Sequence, residues 1–145
     1  MLPSINGEFG VVADPELRFS EKGNSWIKIR GVSKDRVRDS NGTWGDGDPL
    51  FIDIVTNTGA DNLFESIVKG DTITVAGKLK QREYEKDGEK RVVYEIRADY
   101  VGVSIRWTTA KTPKAIDSTK STAQVAAALG GEVIESSQQS ELAPF

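Results

Sequence analysis

Apolar and polar residues alternate with a period of two along most of the chain up to Trp107, and that period predicts β-strands. Ile27 and Ile29 alternate with Trp26, Lys28 and Arg30, which predicts a strand over residues 24–32. A second strand is expected over 50–56, with Ile52 and Ile54 on one face and Phe51 and Asp53 on the other. A third runs over 72–83, with Ile73, Val75 and Leu79 inward, and a long fourth over 91–105, with Val92, Tyr94, Ile96 and Ala98 inward. Residues 5–13 read as an additional, N-terminal strand. The period changes only once. Leu63, Phe64, Ile67 and Val68 form one stripe of an expected helix over 60–69, with Asp61 near its start and Gly70 as its stop. Lys86-Asp87-Gly88-Glu89 reads as a hairpin turn with Asp-Gly at its tip. Residues 38–49, rich in Gly and Asp, read as a loop.

Three strands, one helix and two strands, in that order, are the order of an all-β OB-fold, a five-stranded Greek-key barrel with its helix between the third and fourth strands. After Trp107 the composition shifts. Residues 108–122 read as a linker, 123–129 as one or two helical turns ended by Gly130 and Gly131, and 136–145 as disordered. The expected division is a domain over 1–112 and a flexible linker and tail over 113–145.

Parity then carries the chemistry. Lys78, Lys80, Arg82 and Tyr84 share a face opposite Leu79; Trp26, Lys28 and Arg30 share one opposite Ile27 and Ile29; Phe51 points away from Ile52 and Ile54. Lys34, Arg36, Trp44 and Arg91 complete the candidate binding set. Basic side chains neutralise phosphates, and exposed rings stack on unpaired bases whatever their identity, so the combination suits single-stranded nucleic acid. The same alternation also describes an ordinary solvated strand face, and Trp26 is equally compatible with a subunit contact.

A net charge of −3 argues against a nucleic-acid partner until it is divided along the chain. Residues 1–115 hold 18 Lys+Arg and 18 Asp+Glu, whereas 116–145 hold one Lys and four acids. The negative excess therefore lies outside the expected barrel. The 145 residues contain no Cys and no His, which removes disulfides, thiolate metal sites, the commonest general base and the commonest metal ligand. No phosphate-binding glycine loop or nucleophile elbow appears. An enzyme is not expected, nor is a metal or cofactor. Met1 to Gly10 lacks the pattern of a signal peptide, and no apolar run approaches the roughly 20 residues that span a bilayer, so a cytoplasmic location is the default.

Three segments carry a family resemblance: Ala13-Asp14-Pro15-Glu16-Leu17-Arg18-Phe19; Lys69-Gly70-Asp71 followed by Val75-Ala76-Gly77-Lys78-Leu79-Lys80-Gln81-Arg82; and Gly88-Glu89-Lys90-Arg91 followed by Tyr94-Glu95-Ile96. Over residues 5–112 the chain resembles bacterial and phage single-stranded-DNA-binding proteins, most closely the actinobacterial kind. The resemblance implies stacking roles for Tyr84 and Phe51 and a homotetramer. Val37 and Asn57 stand where the family has aromatics; Trp44 is a candidate to compensate for the first, and Lys and Arg are expected to carry more of the grip. Asp14-Pro15-Glu16 and Arg18 read as a structural turn. The family's acidic, Pro-Phe-ended tip docks replication and repair proteins, which assigns partner docking to Glu141, Pro144 and Phe145. The linker is shorter than in many cellular members, which fits a phage-encoded one. An RNA-binding OB module, an OB protein-interaction adaptor and a nuclease stand as the rival functions.

Overall fold

Ile27, Ile29, Ile54, Ile67, Ile73 and Ile96 are all less than 2 % accessible, and burying that alternating aliphatic set is what curls the strands around one core. In a computed structural model, which describes residues 1–113, the elements are β1 (Ser4–Val11), β2 (Glu16–Phe19), β3 (Ser25–Ser33), β4 (Arg36–Arg38), β5 (Trp44–Asp46), β6 (Leu50–Thr56), α1 (Ala60–Ser66), β7 (Thr72–Lys86) and β8 (Glu89–Val103). Met1–Thr109 forms one compact unit. Residues 114–145, which hold most of the expected linker, the short helix and Glu141, Pro144 and Phe145, lie outside the described residues.

The sheet closes on itself. β1 runs antiparallel to β7 from Ser4↔Lys78 to Gly10↔Thr72, and its end also pairs with β3 through Gly10↔Val32 and Val11↔Gly31. β3 pairs with β6, β6 pairs in parallel with β8, and β8 returns to β7. The five-stranded circuit β1–β7–β8–β6–β3 is the OB barrel, closed where the end of β1 reaches β3. Helix α1 follows β6 as expected; its Ala60, and Ile67 just past its end, join the core.

Four local expectations change. The helix stops at Ser66, and Ile67 is already extended (φ −102°, ψ 129°). The chain has therefore turned before Val68, which is exposed; Phe64, within the helix, is exposed as well, so the buried stripe is narrower than expected. The segment read as a turn through Arg18 bends only at Ala13, ahead of the buried Pro15; Asp14 accepts the Lys69 N–H at 2.9 Å. From Glu16 it becomes β2, a strand on the edge of β3. The expected loop contains the β4–β5 ribbon, whose turn is tied by Asp39 accepting the N–H groups of Asn41 and Thr43 at 2.9 and 2.8 Å. Finally, β7 and β8 run on past the barrel as a two-stranded arm, so Val92 and Tyr94 are exposed rather than inward. The tip of the arm has positive φ at both Asp87 and Gly88, the backbone of a tight two-residue hairpin.

The pairing of β7 with β8 slips by one residue where Ala76↔Tyr100 is followed by Gly77↔Ala98, leaving Asp99 as the bulged residue. A Cβ at Gly77 would lie 2.2 Å from the Arg97 carbonyl oxygen and 2.7 Å from the Ala98 Cα. Gly77→Ala is therefore expected to cost about 1–3 kcal/mol in a denaturant titration; a wild-type midpoint would show that the strands do not approach this closely.

The exit from β8 is fastened to β1. The Ser104 hydroxyl donates to Glu8 at 2.6 Å, and Arg106 donates to the other Glu8 oxygen at 3.0 Å. Ser104's hydrogen bond first, and Arg106 second, hold the Glu8 carboxyl below its ordinary range. A lowered folded-state pKa means this tie contributes above the unfolded pKa and is lost as pH falls through the folded one. The melting-temperature gap between wild type and Glu8→Gln is expected at neutral pH and closes well below about pH 4. An equal gap across the range would exclude a charged tie.

Candidate nucleic-acid interface

Because strand side chains alternate, the outward residues of β3, β6, β8 and β7 meet in rows across the barrel. In the middle row Arg30 pairs with Asp53, Asp53 with Glu95 and Glu95 with Lys80. On one side lies the row Lys28, Val55, Arg97 and Lys78. On the other, Val32 pairs with Phe51 and Val93 with Arg82; one step further out on the arm, Tyr84 pairs with Arg91. The fold thus gathers Lys28, Arg30, Phe51, Lys78, Lys80, Arg82 and Tyr84 onto adjoining strands, with Arg91 on the arm.

The aromatic rings carry guanidinium groups over them. Arg18 lies 5.6 Å from the Trp26 ring, Arg30 5.8 Å from Phe51, Arg82 5.7 Å from Tyr84 and Arg106 5.2 Å from Trp107. Such contacts are worth about 0.5–1 kcal/mol at exposed sites. Each holds a ring with a positive charge beside it, the pairing that a base and its phosphate require. Phe51 and Tyr84 stay 49 % and 40 % accessible, enough to offer a flat face. Trp26 is half-buried and lines a groove of about 700 Å³ with Arg18, Lys28, Asn57 and Arg97.

The basic residues are not all free. Arg30 and Lys28 approach the two oxygens of Asp53 at 3.2 and 3.7 Å, and Arg82 approaches Glu95 at 3.6 Å. Lys78 donates to the Ser4 hydroxyl at 2.7 Å, and Arg91 lies 3.8 Å from Glu89. Lys34 and Arg36 are apart from the barrel rows, at the β4–β5 ribbon, where both meet Asp46 at 2.6 and 3.3 Å. Lys34 in the main, with Arg36 adding to it, keeps the Asp46 carboxyl below its usual range. Trp44 is exposed on that ribbon opposite Arg38. Val37 pairs with Gly45, so alternation puts Trp44 on the other face of the ribbon. Trp44 therefore joins Arg36 and Arg38 rather than filling the place of Val37.

Sequence reasoning missed Arg18, Arg97, Trp107 and the two acids of the middle row. Arg97 and Glu95 were readable, since both have the parity opposite to inward Ile96 and Ala98. Arg18 was hidden by the turn reading of its segment, and Trp107 lies past the last strand with no period to place it. Among the described residues, no three Asp or Glu side chains converge to hold a metal ion, and no helix is long and apolar enough to cross a membrane.

With this geometry in view, the chain can be set beside known proteins. It is 41 % identical over 108 residues to a single-stranded DNA-binding protein of Mycobacterium leprae, covering 72 % of this chain and 64 % of that one. It is 44 % identical over 107 residues to single-stranded DNA-binding protein 2 of Streptomyces coelicolor, covering 72 % and 54 %. The chain thus spans roughly half to two thirds of the relatives it matches. A crystal structure of the small single-stranded DNA-binding protein from Streptomyces coelicolor superposes with a TM-score of 0.62 at 27 % identity, covering 72 % of this chain and 95 % of that one. Residues 9–104 match the single-strand binding protein family, and the chain belongs to that family.

Proposed function

We propose that this chain binds single-stranded DNA without strong sequence preference and acts by binding, not catalysis. The observation that carries the reading is the outer face of β3, β6, β8 and β7, where Lys28, Arg30, Lys78, Lys80, Arg82 and Arg97 are interleaved with Phe51 and Tyr84. Phosphates meet the cations and unpaired bases meet the rings, contacts that do not depend on base identity. The relatives' names point the same way.

Shielding a strand in this manner serves replication, recombination and repair. A homotetramer would let one strand pass over several such faces. Partner recruitment through Glu141, Pro144 and Phe145 belongs to the same proposal and rests on the sequence.

Titration of tryptophan fluorescence with oligo-dT at two salt concentrations tests the binding. Saturable quenching that weakens with salt is expected; no quenching would return the chain to the adaptor reading, and equal or tighter binding of oligo-U would make it an RNA-binding module. Tyr84→Ala is expected to weaken binding by about 1–3 kcal/mol with little change in melting. Unchanged affinity would remove Tyr84 from the stacking set. Removing Pro144 and Phe145 is expected to leave oligo-dT affinity intact while abolishing capture of replication proteins; capture that survives would rule out that docking site.

A further inference from the structure

Two carboxylates lie in the middle of the proposed binding face. Asp53 and Glu95 are Cα partners across the parallel β6–β8 pairing, flanked in the same row by Arg30 and Lys80. Both point outward by parity, yet their side chains are only 10 % and 11 % accessible. Their cations are far more open, with Lys28, Arg30 and Arg82 at 32 %, 45 % and 48 %.

The asymmetry has a physical consequence. A phosphate can reach these cations from solvent, but a carboxylate that surrenders its cation stays where it is, shielded from water and unpaired. Leaving a buried charge without its partner is costly. A phosphate must therefore share the cation with the carboxylate or bear that cost. The separations of 3.2 to 3.7 Å suit sharing, since none of the pairs is a close bidentate clasp.

We infer that Asp53 and Glu95 act as built-in competitors of the DNA phosphates, holding back Lys28, Arg30 and Arg82 so that the bound strand is gripped weakly and exchanges quickly. The inference rests on the proposed single-stranded DNA binding and concerns the regulation of that same face. It assigns the acids a role beyond folding: they set the ceiling on affinity. Asp53 holds two cations and Glu95 one, so Asp53 is the stronger competitor.

The test is oligo-dT binding by the full chain as wild type, Asp53→Asn and Glu95→Gln, across a salt series. Each amide keeps the shape and an acceptor oxygen while removing the charge. Each variant is expected to bind about three- to tenfold tighter at low salt, as loss of a unit charge near the phosphates implies. Dissociation should slow to match. The slope of log K against log salt should steepen by about 0.7 for each cation released, hence more for Asp53→Asn than for Glu95→Gln. Unchanged or weaker binding by folded variants would overturn the inference and make the acids positioning residues. If Asp53→Asn does not fold, Glu95→Gln decides the matter through Arg82. Wild-type protein that fails to bind oligo-dT would instead remove the functional reading and the inference with it, an outcome distinct from a wild type that binds and variants that bind no tighter.

Discussion

Closure of the barrel by β1 is the constraint on which the rest depends. One strand must satisfy two neighbours: it pairs along most of its length with β7 and hands over at Gly10 and Val11 to β3. With the circuit closed, the inward residues of all five strands share one dry core. The outward residues of β3, β6, β8 and β7 are then brought side by side in a fixed register. Single strands with basic alternation are commonplace; it is adjacency, imposed by closure, that turns separate stripes into a surface.

On that surface, charge is arranged in lanes. The Lys28–Val55–Arg97–Lys78 row has no acid, the Arg30–Asp53–Glu95–Lys80 row is balanced, and the Phe51 side combines a ring with Arg82. A protein whose overall charge is −3 can therefore present a cationic track to a polyanion. The four arginine–ring contacts extend the principle, because a guanidinium over a ring keeps aromatic and cationic chemistry at one spot.

Much of this was legible in the sequence because a two-residue period has only one way to be half-buried. Ile27 and Ile29, Ile52 and Ile54, and Ile73 and Val75 all turned inward, and the order of the elements identified the OB barrel. Period alone does not report where a pair of strands leaves the core, so Val92 and Tyr94 were placed inside when they ride on the arm. Short strands such as β2 and β4 hold too few residues to show alternation, which concealed Arg18 beside Trp26 and the ribbon that displays Trp44. The acids were visible but mute: nothing in a sequence tells that an outward Asp on β6 and an outward Glu on β8 will become neighbours across a parallel pairing.

The arm built from the far ends of β7 and β8 has an implication for how the molecule can vary. From Gln81 to Lys86 its residues pair only with their partners on the other strand, a span of about 20 Å at about 3.3 Å per residue. Its length is decoupled from the core. Residues could be added or lost in matched pairs at the hairpin end without disturbing the register of Gly77, Leu79 or Ile96, so evolution can lengthen or trim the molecule's reach along a strand as a variable separate from its stability.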